Sequence, residues 1–306
     1  MPEPDAPFQP AWPADDATRA VPAQGGQQAP YWGSDVADRW HLYGPPLRPC
    51  PADVRVMEEA VRACAARLDG QLRALLWGVT PEIAAMSWPR GTQLLALDKS
   101  QAMIDRVWPG DAAGFRRAVL IDWFEYKCTH GAHDVVIGDG NFAPLEYPRG
   151  YRALALAARE ALTDTGVLIS RFFIRPIAPE TPDSVFADLL ANRIESFHAF
   201  KFRLAAALQK SAAAGVAVGD ILSAWKRARI DMNSLLAMTG WRRETVEMIY
   251  LYEGKTSRLS FPDIAEIGAV MNEYFDHQET RYLDYEMGDR CPIVTYRARR
   301  GTSPDA

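Results

Sequence analysis

Glycine and acidic residues that could bind a nucleoside follow two apolar segments of the sequence. Gly78 follows Leu72–Trp77, and Asp98 follows Leu94–Leu97, 20 residues after Gly78. A glycine allows a tight turn at the end of a strand, and an acid about 20 residues later can accept hydrogen bonds from both hydroxyls of a ribose. We therefore expect Gly78 and Asp98 to bind a nucleoside-containing cofactor. The alternative is that Asp98 only caps a helix beginning near Ser100.

The neighbours of these two residues extend the hypothesis. Thr80 can cap the helix after Gly78, which would leave free N–H groups at the helix start for a carboxylate or a phosphate. Every strand-to-helix junction needs such a turn and cap, so a purely structural role is the alternative. Lys99 and Ser100 follow Asp98 directly, and Met103 would add an apolar wall for an adenine ring.

Two later segments end in the same way. Asp122-Trp123 follows Ala118–Ile121 and offers one acceptor and one aromatic ring, which suit a purine, although Trp123 could equally belong to the core. Asp139-Gly140-Asn141-Phe142 follows Asp134–Ile137, and glycine beside an acid permits close approach of the backbone to a ligand. The predicted cofactor-binding residues are thus Gly78, Thr80, Asp98, Lys99, Ser100, Met103, Asp122, Trp123, Asp139, Gly140, Asn141 and Phe142.

The elements that must position these residues are short strands alternating with helices. Continuous apolar strands separated by helices predict a mostly parallel, doubly wound α/β sheet covered on both faces. In such a sheet ligands bind at the carboxyl ends of the strands, where all the residues above stand. The predicted strands are 72–77, 94–97, 118–121, 134–137 and 167–173, and the helices between them are about 82–86, 101–107 and 150–162.

The alternation of strands and helices stops after residue 176, where we expect a helical insertion over 177–243 that forms a cap or a dimer surface. Thr181-Pro182 begins a helical pattern of some 25 residues, and a second helix is predicted around 220–229. Val246–Tyr252 is then predicted to resume the sheet as a strand, and Ser260–Asp263 to open another helix. The part from 244 to 300 closes with an antiparallel hairpin of Arg281–Glu286 and Ile293–Arg297.

Before the core, predicted over 53–176, the chain has two unlike parts. Residues 1–30 contain seven prolines and few aliphatic side chains, which predicts a disordered tail. Residues 31–52 concentrate aromatic side chains and are predicted to be an arm or lid. From Val54 apolar residues recur at steps of three and four, which predicts an amphipathic helix.

With these motifs assembled, the chain resembles the class I S-adenosylmethionine-dependent methyltransferases of the small-molecule type, over about residues 50–176 and more loosely over 244–298. Leu97–Ile104 is similar to the family's second motif, whose acid binds the ribose, and Asp134–Phe142 to its fourth-strand motif, beside the methionine portion of the cofactor. By the same resemblance Asp122-Trp123 falls where the adenine is held. The resemblance implies a seven-stranded Rossmann-like sheet with a reversed final strand, and S-adenosyl-L-methionine as cofactor.

The first loop departs from the family's pattern. That loop is usually glycine-rich, with an acid two residues before the first glycine. Here Gly78 remains, Thr80 and Glu82 stand at the other two glycine positions, and Leu76 replaces the acid. Contacts between this loop and the cofactor are therefore in question.

The methyl acceptor is expected to be a small molecule, for example an aromatic one. Nucleic-acid amino methyltransferases usually have Asn/Asp-Pro-Pro-aromatic after the fourth strand, where this chain has Asp139–Phe142, and the net charge of −5 also disfavours a polyanion. Arg48 could pair with a cofactor or substrate carboxylate, and the alternative is a charge that faces solvent. For the aromatic residues, ordinary packing is the alternative to lining an acceptor pocket. The predicted pocket walls are Trp32, Trp40, Phe197, Phe200 and Trp225.

Composition and cysteine usage bound the remaining possibilities. Four widely spaced cysteines without a C-x-x-C pair indicate reduced thiols and no zinc site, and no apolar run is long enough for a membrane span, so we expect a cytoplasmic protein. None of the five histidines lies in a motif for a general base. Two other functions stay open: a methyltransferase-like protein that binds without catalysis, and an NAD-dependent oxidoreductase, which the lack of Gly-x-Gly-x-x-Gly disfavours.

Overall fold

Seven strands make one sheet in this protein, whose computed structural model describes residues 33–299. Its strands are β1 (Arg73–Trp77), β2 (Gln93–Asp98), β3 (Arg116–Leu120), β4 (His133–Asp139), β5 (Leu162–Arg171), β8 (Phe275–Arg281) and β9 (Ile293–Ala298). The sheet order is β3-β2-β1-β4-β5-β9-β8, in which β1 to β5 run parallel and β9 is antiparallel to both of its neighbours. The predicted seven-stranded, mostly parallel Rossmann-like sheet is confirmed.

Successive side chains of β1 and β2 enter two cores, one on each face of the sheet, which is why these strands read as continuous apolar runs. Leu76 packs in the first core, together with α2 (Pro51–Ala65), α3 (Pro81–Ala84) and α4 (Gln101–Arg106). Of the apolar stripe predicted from Val54 to Leu68, the residues Met57, Val61 and Cys64 are buried on α2, and Val54 and Leu68 pack partly buried against the same core.

The second face of the sheet is covered by α5 (Arg149–Ala161) and α11 (Ile264–Met271), against which Leu75 and Trp77 pack. The helix predicted to open at Ser260–Asp263 is present, but its capping box lies three residues later, where Asp263 caps α11 by accepting from the Glu266 N–H. Between β3 and β4 the chain forms no helix, and Trp123 packs against the sheet there instead.

The insertion after β5 is helical, but it differs from the prediction in two ways. The single long helix is wrong: α6 ends at Leu190, Asn192 adopts a left-handed φ of 54°, and Ser196 caps α7 by accepting from the Ala199 N–H. The elements of this region are α6 (Pro182–Leu190), α7 (Phe197–Leu208), β6 (Val216–Ala217), α8 (Val218–Ala228), α9 (Met232–Thr239), α10 (Arg243–Glu247) and β7 (Arg258–Leu259).

The strand predicted over Val246–Tyr252 is also wrong. Residues 243–252 form α10 and a 3-10 helix, Met248–Tyr252. Val246, Ile249 and Tyr252 recur every third residue and are buried in the core of the insertion. The β-branched and aromatic content of the segment favoured a strand, whereas its spacing is helical.

The closing antiparallel hairpin is confirmed, with a different first strand. β8 is Phe275–Arg281, while the predicted segment 281–286 lies mostly in the loop before β9. Most side chains of β8 are exposed, so the strand lacks the apolar alternation by which a half-buried strand is recognised.

The N-terminal arm begins, in the described part, with α1 (Ser34–Ala37) and a 3-10 turn, Trp40–Leu42. Val36 and Tyr43 bury their side chains against Met248 of the insertion. The predicted tail 1–30 lies outside the described residues. Across residues 33–299 no helix is long and apolar enough to cross a membrane.

Candidate functional site

Gly78, Asp98 and Asn141 meet at the carboxyl ends of β1, β2 and β4. Gly78 ends β1 with a φ of +83°, which glycine adopts without strain. A Cβ placed on Gly78 would lie 4.0 Å from Asp98 Oδ2 and 3.9 Å from Asn141 Nδ2. The structure therefore places these three predicted site residues together, around a backbone that carries no side chain.

The two carboxylate oxygens of Asp98 have different surroundings: one caps the following turn, and the other faces Gly78. Oδ1 accepts a hydrogen bond of 2.8 Å from the Ser100 N–H, and Ser100 itself caps α4 through the Met103 N–H. Oδ2 faces Gly78. Burial raises the pKa of Asp98 to about 6, because the surroundings solvate the charge poorly. The local cap proposed as the alternative uses one oxygen and leaves the other facing the strand ends.

Asn141 bridges β4 and β1. Its Nδ2 donates to the Trp77 carbonyl at 3.0 Å, and the side chain lies on Gly138, where any Cβ would overlap its Oδ1. Asn141 is 6% exposed, and within the described part of the chain its Oδ1 accepts no hydrogen bond. A buried acceptor without a donor costs about 1–3 kcal/mol, so this oxygen suits a ligand that brings a donor.

The helix start after Gly78 is not the anion site that the sequence predicts. Thr80 precedes α3 but makes no side-chain capping bond, and α3 has only four residues. One helical turn supplies little of the dipole that favours an anion. The group presented here is instead the carboxylate of Glu82.

Arg48 reaches Glu82 from the arm. Its Nε donates to Glu82 Oε1 at 2.7 Å, and its Nη1 donates to the carbonyls of Trp40 and Tyr43. The guanidinium also lies 5.1 Å from the centre of the partly buried Trp40 ring. Arg48 was predicted to bind a carboxylate of a ligand, and the carboxylate it binds in the structure belongs to the protein.

Asp139 ends β4 in a buried ion network that the sequence reasoning missed. Arg171 Nε donates to Asp139 Oδ1 at 2.6 Å, and Arg171 Nη1 reaches Asp53 Oδ2 on α2 at 3.3 Å. The Tyr285 hydroxyl bonds to both Asp53 and Arg171. Burial raises the pKa of Asp139, and the Arg171 charge opposes that rise. A charged residue inside the apolar segment 167–173 was the available signal for this network.

The loop after β3 shields the end of β2. Trp123 Nε1 donates to the Leu97 carbonyl at 2.9 Å, and its ring centre lies 6.3 Å from that of Trp77. Asp122 accepts from the exposed Lys99 at 3.1 Å. The structure thus places Asp122, Trp123 and Lys99 beside Asp98, as the family resemblance implies, with part of Trp123 committed to packing.

Two predicted cofactor residues are core residues instead. Met103 is 5% exposed and packs on the first face of the sheet, while Phe142 is 1% exposed and packs on Tyr151 and Phe172. Neither offers side-chain surface to a ligand. Gly140, two residues before Phe142, has a φ of +65° and lies under the ring of Phe173.

Three predicted pocket walls are likewise buried in the insertion. Phe197 contacts Phe200 and Trp225 at ring-centre distances of 5.6 and 5.5 Å, and all three side chains belong to the core of α6 to α10. Ordinary packing, the alternative considered from the sequence, is what the structure shows. Trp32 lies outside the described residues.

A buried lysine beside these rings was also missed. Lys201 of α7 is 2% exposed, and no side chain or carbonyl in the described range accepts from its Nζ. Three ring centres surround the Nζ atom, those of Tyr43 at 5.4 Å, Tyr252 at 5.6 Å and Phe197 at 5.8 Å. Burial lowers its pKa to about 7. The sequence signal was a lysine placed between Phe200 and Phe202.

An open groove of about 290 Å³ lies elsewhere, between α7, α11 and the segment 175–180, and is lined by Arg175, Glu180 and Lys210 among others. None of the residues at the strand ends lines it. Because it brings together none of the chemistry described above, we place the candidate site at the strand ends. No group of His, Cys, Asp and Glu side chains in residues 33–299 could hold a metal ion.

Comparison with known proteins identifies the fold. The sequence matches no protein-family model, and no curated protein matches it. The CcbJ methyltransferase from Streptomyces caelestis is 16% identical, with 90% of this chain and 100% of that chain covered and a TM-score of 0.51. A Rhodobacter sphaeroides structure described as a Zn-dependent alcohol dehydrogenase is 14% identical (88% and 99% covered, TM-score 0.49). N-methyltransferase NodS from Bradyrhizobium japonicum, in complex with S-adenosyl-L-homocysteine, is 10% identical (87% and 97% covered, TM-score 0.45).

The similarity to CcbJ over nine-tenths of the chain establishes a shared fold. Together with the sheet order and the reversed strand β9, it gives this chain the class I methyltransferase fold. The resemblance read from the second and fourth-strand motifs is thereby confirmed at the level of fold.

Proposed function

We propose that the protein binds S-adenosylmethionine at the ends of β1, β2 and β4 and transfers its methyl group to a small molecule. The observation that carries this proposal is the meeting of Asp98 Oδ2 and Asn141 around the bare backbone of Gly78. A fold alone does not fix an activity, whereas these three groups have the chemistry to bind a nucleoside.

The residues present fit the cofactor. Asp98 Oδ2 would accept from a ribose hydroxyl, Gly78 would let the ligand approach the backbone, and Asn141 Oδ1 would accept a donor that it lacks in the protein. When bound, S-adenosylmethionine supplies an electrophilic methyl group on a sulfonium centre. The protein's task is then to hold the acceptor in line with that methyl group and to exclude water.

The surroundings of the site favour a small acceptor. Arg48 of the arm reaches the site by pairing with Glu82, and the ring of Phe173 lies on Gly140 after β4. Within the described residues, the charged groups at the site are five carboxylates and three cations: Asp53, Glu82, Asp98, Asp122 and Asp139 against Arg48, Lys99 and Arg171. That excess of negative charge repels a polyanion such as nucleic acid. A cytoplasmic location and a role of the insertion as cap or dimer surface are part of the same proposal.

Calorimetric titration with S-adenosylmethionine, S-adenosylhomocysteine and NAD tests the function. We expect both sulfur ligands to bind and NAD not to bind. Asp98→Ala should weaken both sulfur ligands by about a hundredfold, since it removes charge-assisted hydrogen bonds worth about 1.5–3 kcal/mol each. The control is Asp105→Ala on the neighbouring helix α4, whose exposed carboxylate accepts a hydrogen bond from Gln101.

The outcomes separate the competing functions. Binding of NAD alone would favour the oxidoreductase, and binding of none of the three ligands would contradict a methyltransferase and leave a binding protein. If the sulfur ligands bind, methyl transfer is measured with methyl-labelled S-adenosylmethionine and candidate small acceptors, and label appearing only in nucleic acid would contradict the proposed substrate class.

A further inference from the structure

The first loop of this chain replaces a glycine by a charged residue that the fold then holds in place. Glu82 stands where the resembled family has the last glycine of its first motif. Glu82 Oε1 is taken by Arg48, whereas Glu82 Oε2 is buried and has no hydrogen-bond partner in the described part of the protein. One carboxylate oxygen of Glu82 is therefore paired, and the other is a buried acceptor without a donor in the described residues.

Arg48 is oriented too fully to act as a free cation. Its Nε and Nη2 both contact Glu82 Oε1, and its Nη1 contacts the carbonyls of Trp40 and Tyr43. The Trp40 ring lies beside the same guanidinium. These contacts fix the Glu82 carboxylate from the arm and make Arg48 a positioning residue for it.

Glu82 shares its environment with the other groups of the site. Glu82 follows Gly78 by four residues, in the first turn of α3, and Gly78 lies against both Asp98 and Asn141. Asn141, on the same loop as Asp139, has the second buried acceptor without a donor. Two unpartnered acceptors beside an excess of negative charge call for a ligand group that donates hydrogen bonds and carries positive charge.

We propose that Glu82 Oε2 receives the α-ammonium group of the cofactor's amino-acid portion, with Asn141 Oδ1 accepting from the same end of the ligand. Arg48 holds the Glu82 carboxylate for this contact, so the arm completes the cofactor site and takes over the role of the missing glycines. This inference rests on the proposed function and concerns residues that the family's glycine-rich loop does not supply.

The test compares two ligands that differ only in the amino-acid portion. S-adenosylhomocysteine carries the ammonium group, whereas 5′-methylthioadenosine keeps the adenosine and the thioether and lacks that portion. Glu82→Gln should weaken S-adenosylhomocysteine about tenfold or more and change 5′-methylthioadenosine less than twofold. Arg48→Met should shift the ratio of the two affinities in the same direction, and Glu273→Gln, whose carboxylate pairs with Arg152 on the surface, should leave it unchanged.

The ratio of the two affinities is measured on one protein sample, so partial unfolding of a variant does not alter it. Arg48→Lys, which keeps the charge but not the fork of donors, provides a second variant and should shift the ratio partway. If the wild type binds neither ligand, the proposed function fails. If the wild type binds both and Glu82→Gln weakens them equally or not at all, this inference fails and the proposed function stands.

Discussion

Asn141 Nδ2 donates a hydrogen bond of 3.0 Å to the carbonyl oxygen of Trp77 and so joins the end of β4 to the end of β1. The side chain reaches across because Gly138, the residue beneath it, has no Cβ. The hydrogen bond holds together the two strand ends at the candidate site, and it explains why a glycine stands near the end of the buried strand β4.

Gly138→Ala should break this arrangement. The new methyl group would overlap Asn141 Oδ1, and we expect a loss of about 1–3 kcal/mol in the free energy of unfolding, as for overpacking elsewhere. Chemical denaturation measures this. In a double-mutant cycle with Asn141→Ala, the double variant should lose less than the sum of the single variants. Strict additivity would show that the two residues do not interact.

Asp98 should be destabilising when the site is empty. Burial raises its folded-state pKa to about 6 from the ordinary 3.8. Below about pH 4 the carboxyl is protonated in the folded and the unfolded protein, so it does not lower the free energy of unfolding. Its destabilising effect grows as the pH rises and is complete above about pH 6. Asp98→Asn should therefore raise the unfolding free energy at pH 7 by about 1–2 kcal/mol, after allowance for partial exposure, while weakening S-adenosylhomocysteine. A variant that loses both stability and affinity would contradict this.

The same pKa predicts how the affinity depends on pH. Ionised Asp98 accepts hydrogen bonds from a ribose better than the neutral carboxyl does, so S-adenosylhomocysteine should bind about tenfold more weakly for each pH unit below 6. Calorimetry between pH 4.5 and about 7.5 checks this dependence on the wild type. In Asp98→Asn the affinity should be low and nearly independent of pH over that range.

Lys201 should make stability increase with pH. Burial lowers its folded-state pKa to about 7 from 10.5, so below pH 7 the full cost of burying the charge is present in the folded protein. Between about pH 7 and 10.5 that cost falls by about 1.4 kcal/mol per pH unit. Lys201→Met should be more stable than the wild type at pH 7, and the difference should shrink as the pH rises to 9.

Urea denaturation at several pH values measures that difference and cancels the titration of other groups. Lys226→Met, which removes an exposed lysine paired with Glu253, is the matched control and should show no such trend. A constant difference between Lys201→Met and the wild type would mean that Lys201 does not titrate in this range.

Arg171 should be far more important for stability than a surface arginine. Arg171→Met leaves the carboxylates of Asp53 and Asp139 buried without a counter-charge, and we expect a loss of about 3–5 kcal/mol. Arg152→Met, which breaks an exposed pair with Glu273, should cost less than about 1 kcal/mol. Adding Asp53→Asn and Asp139→Asn to Arg171→Met should recover much of the loss in thermal unfolding experiments.

The sequence predicted the sheet and the place of the site because both depend on local patterns. The apolar segments before Gly78 and Asp98 are strands, and their carboxyl ends meet because parallel strands share an edge. For this reason the sequence could predict Gly78, Asp98 and Asn141 as residues of the site. Phe142 and Met103 were wrong because a residue next to a ligand loop can equally turn into the core, and spacing alone does not distinguish the two directions.

The missed groups depend on contacts between distant segments. Glu82 meets Arg48 across 34 residues, and Arg171 meets Asp53 across 118. Nothing local to Glu82 distinguishes it from an ordinary acid in the first turn of a helix. Arg48 was singled out, but its partner was expected to be a ligand. The sequence around Arg48 and the sequence around Glu82 do not show that the fold brings the two side chains together.

The position of β9 has a consequence for how the chain is made. This strand follows β8 in sequence, yet it lies between β5 and β8 in the sheet. Until residues 293–298 have left the ribosome, β5 carries an uncovered row of backbone donors and acceptors, and the nascent sheet is open to pairing with other chains. The sheet can therefore close only after β9 has been synthesised, and a chain truncated before residue 293 would leave β5 open to chaperones and proteases.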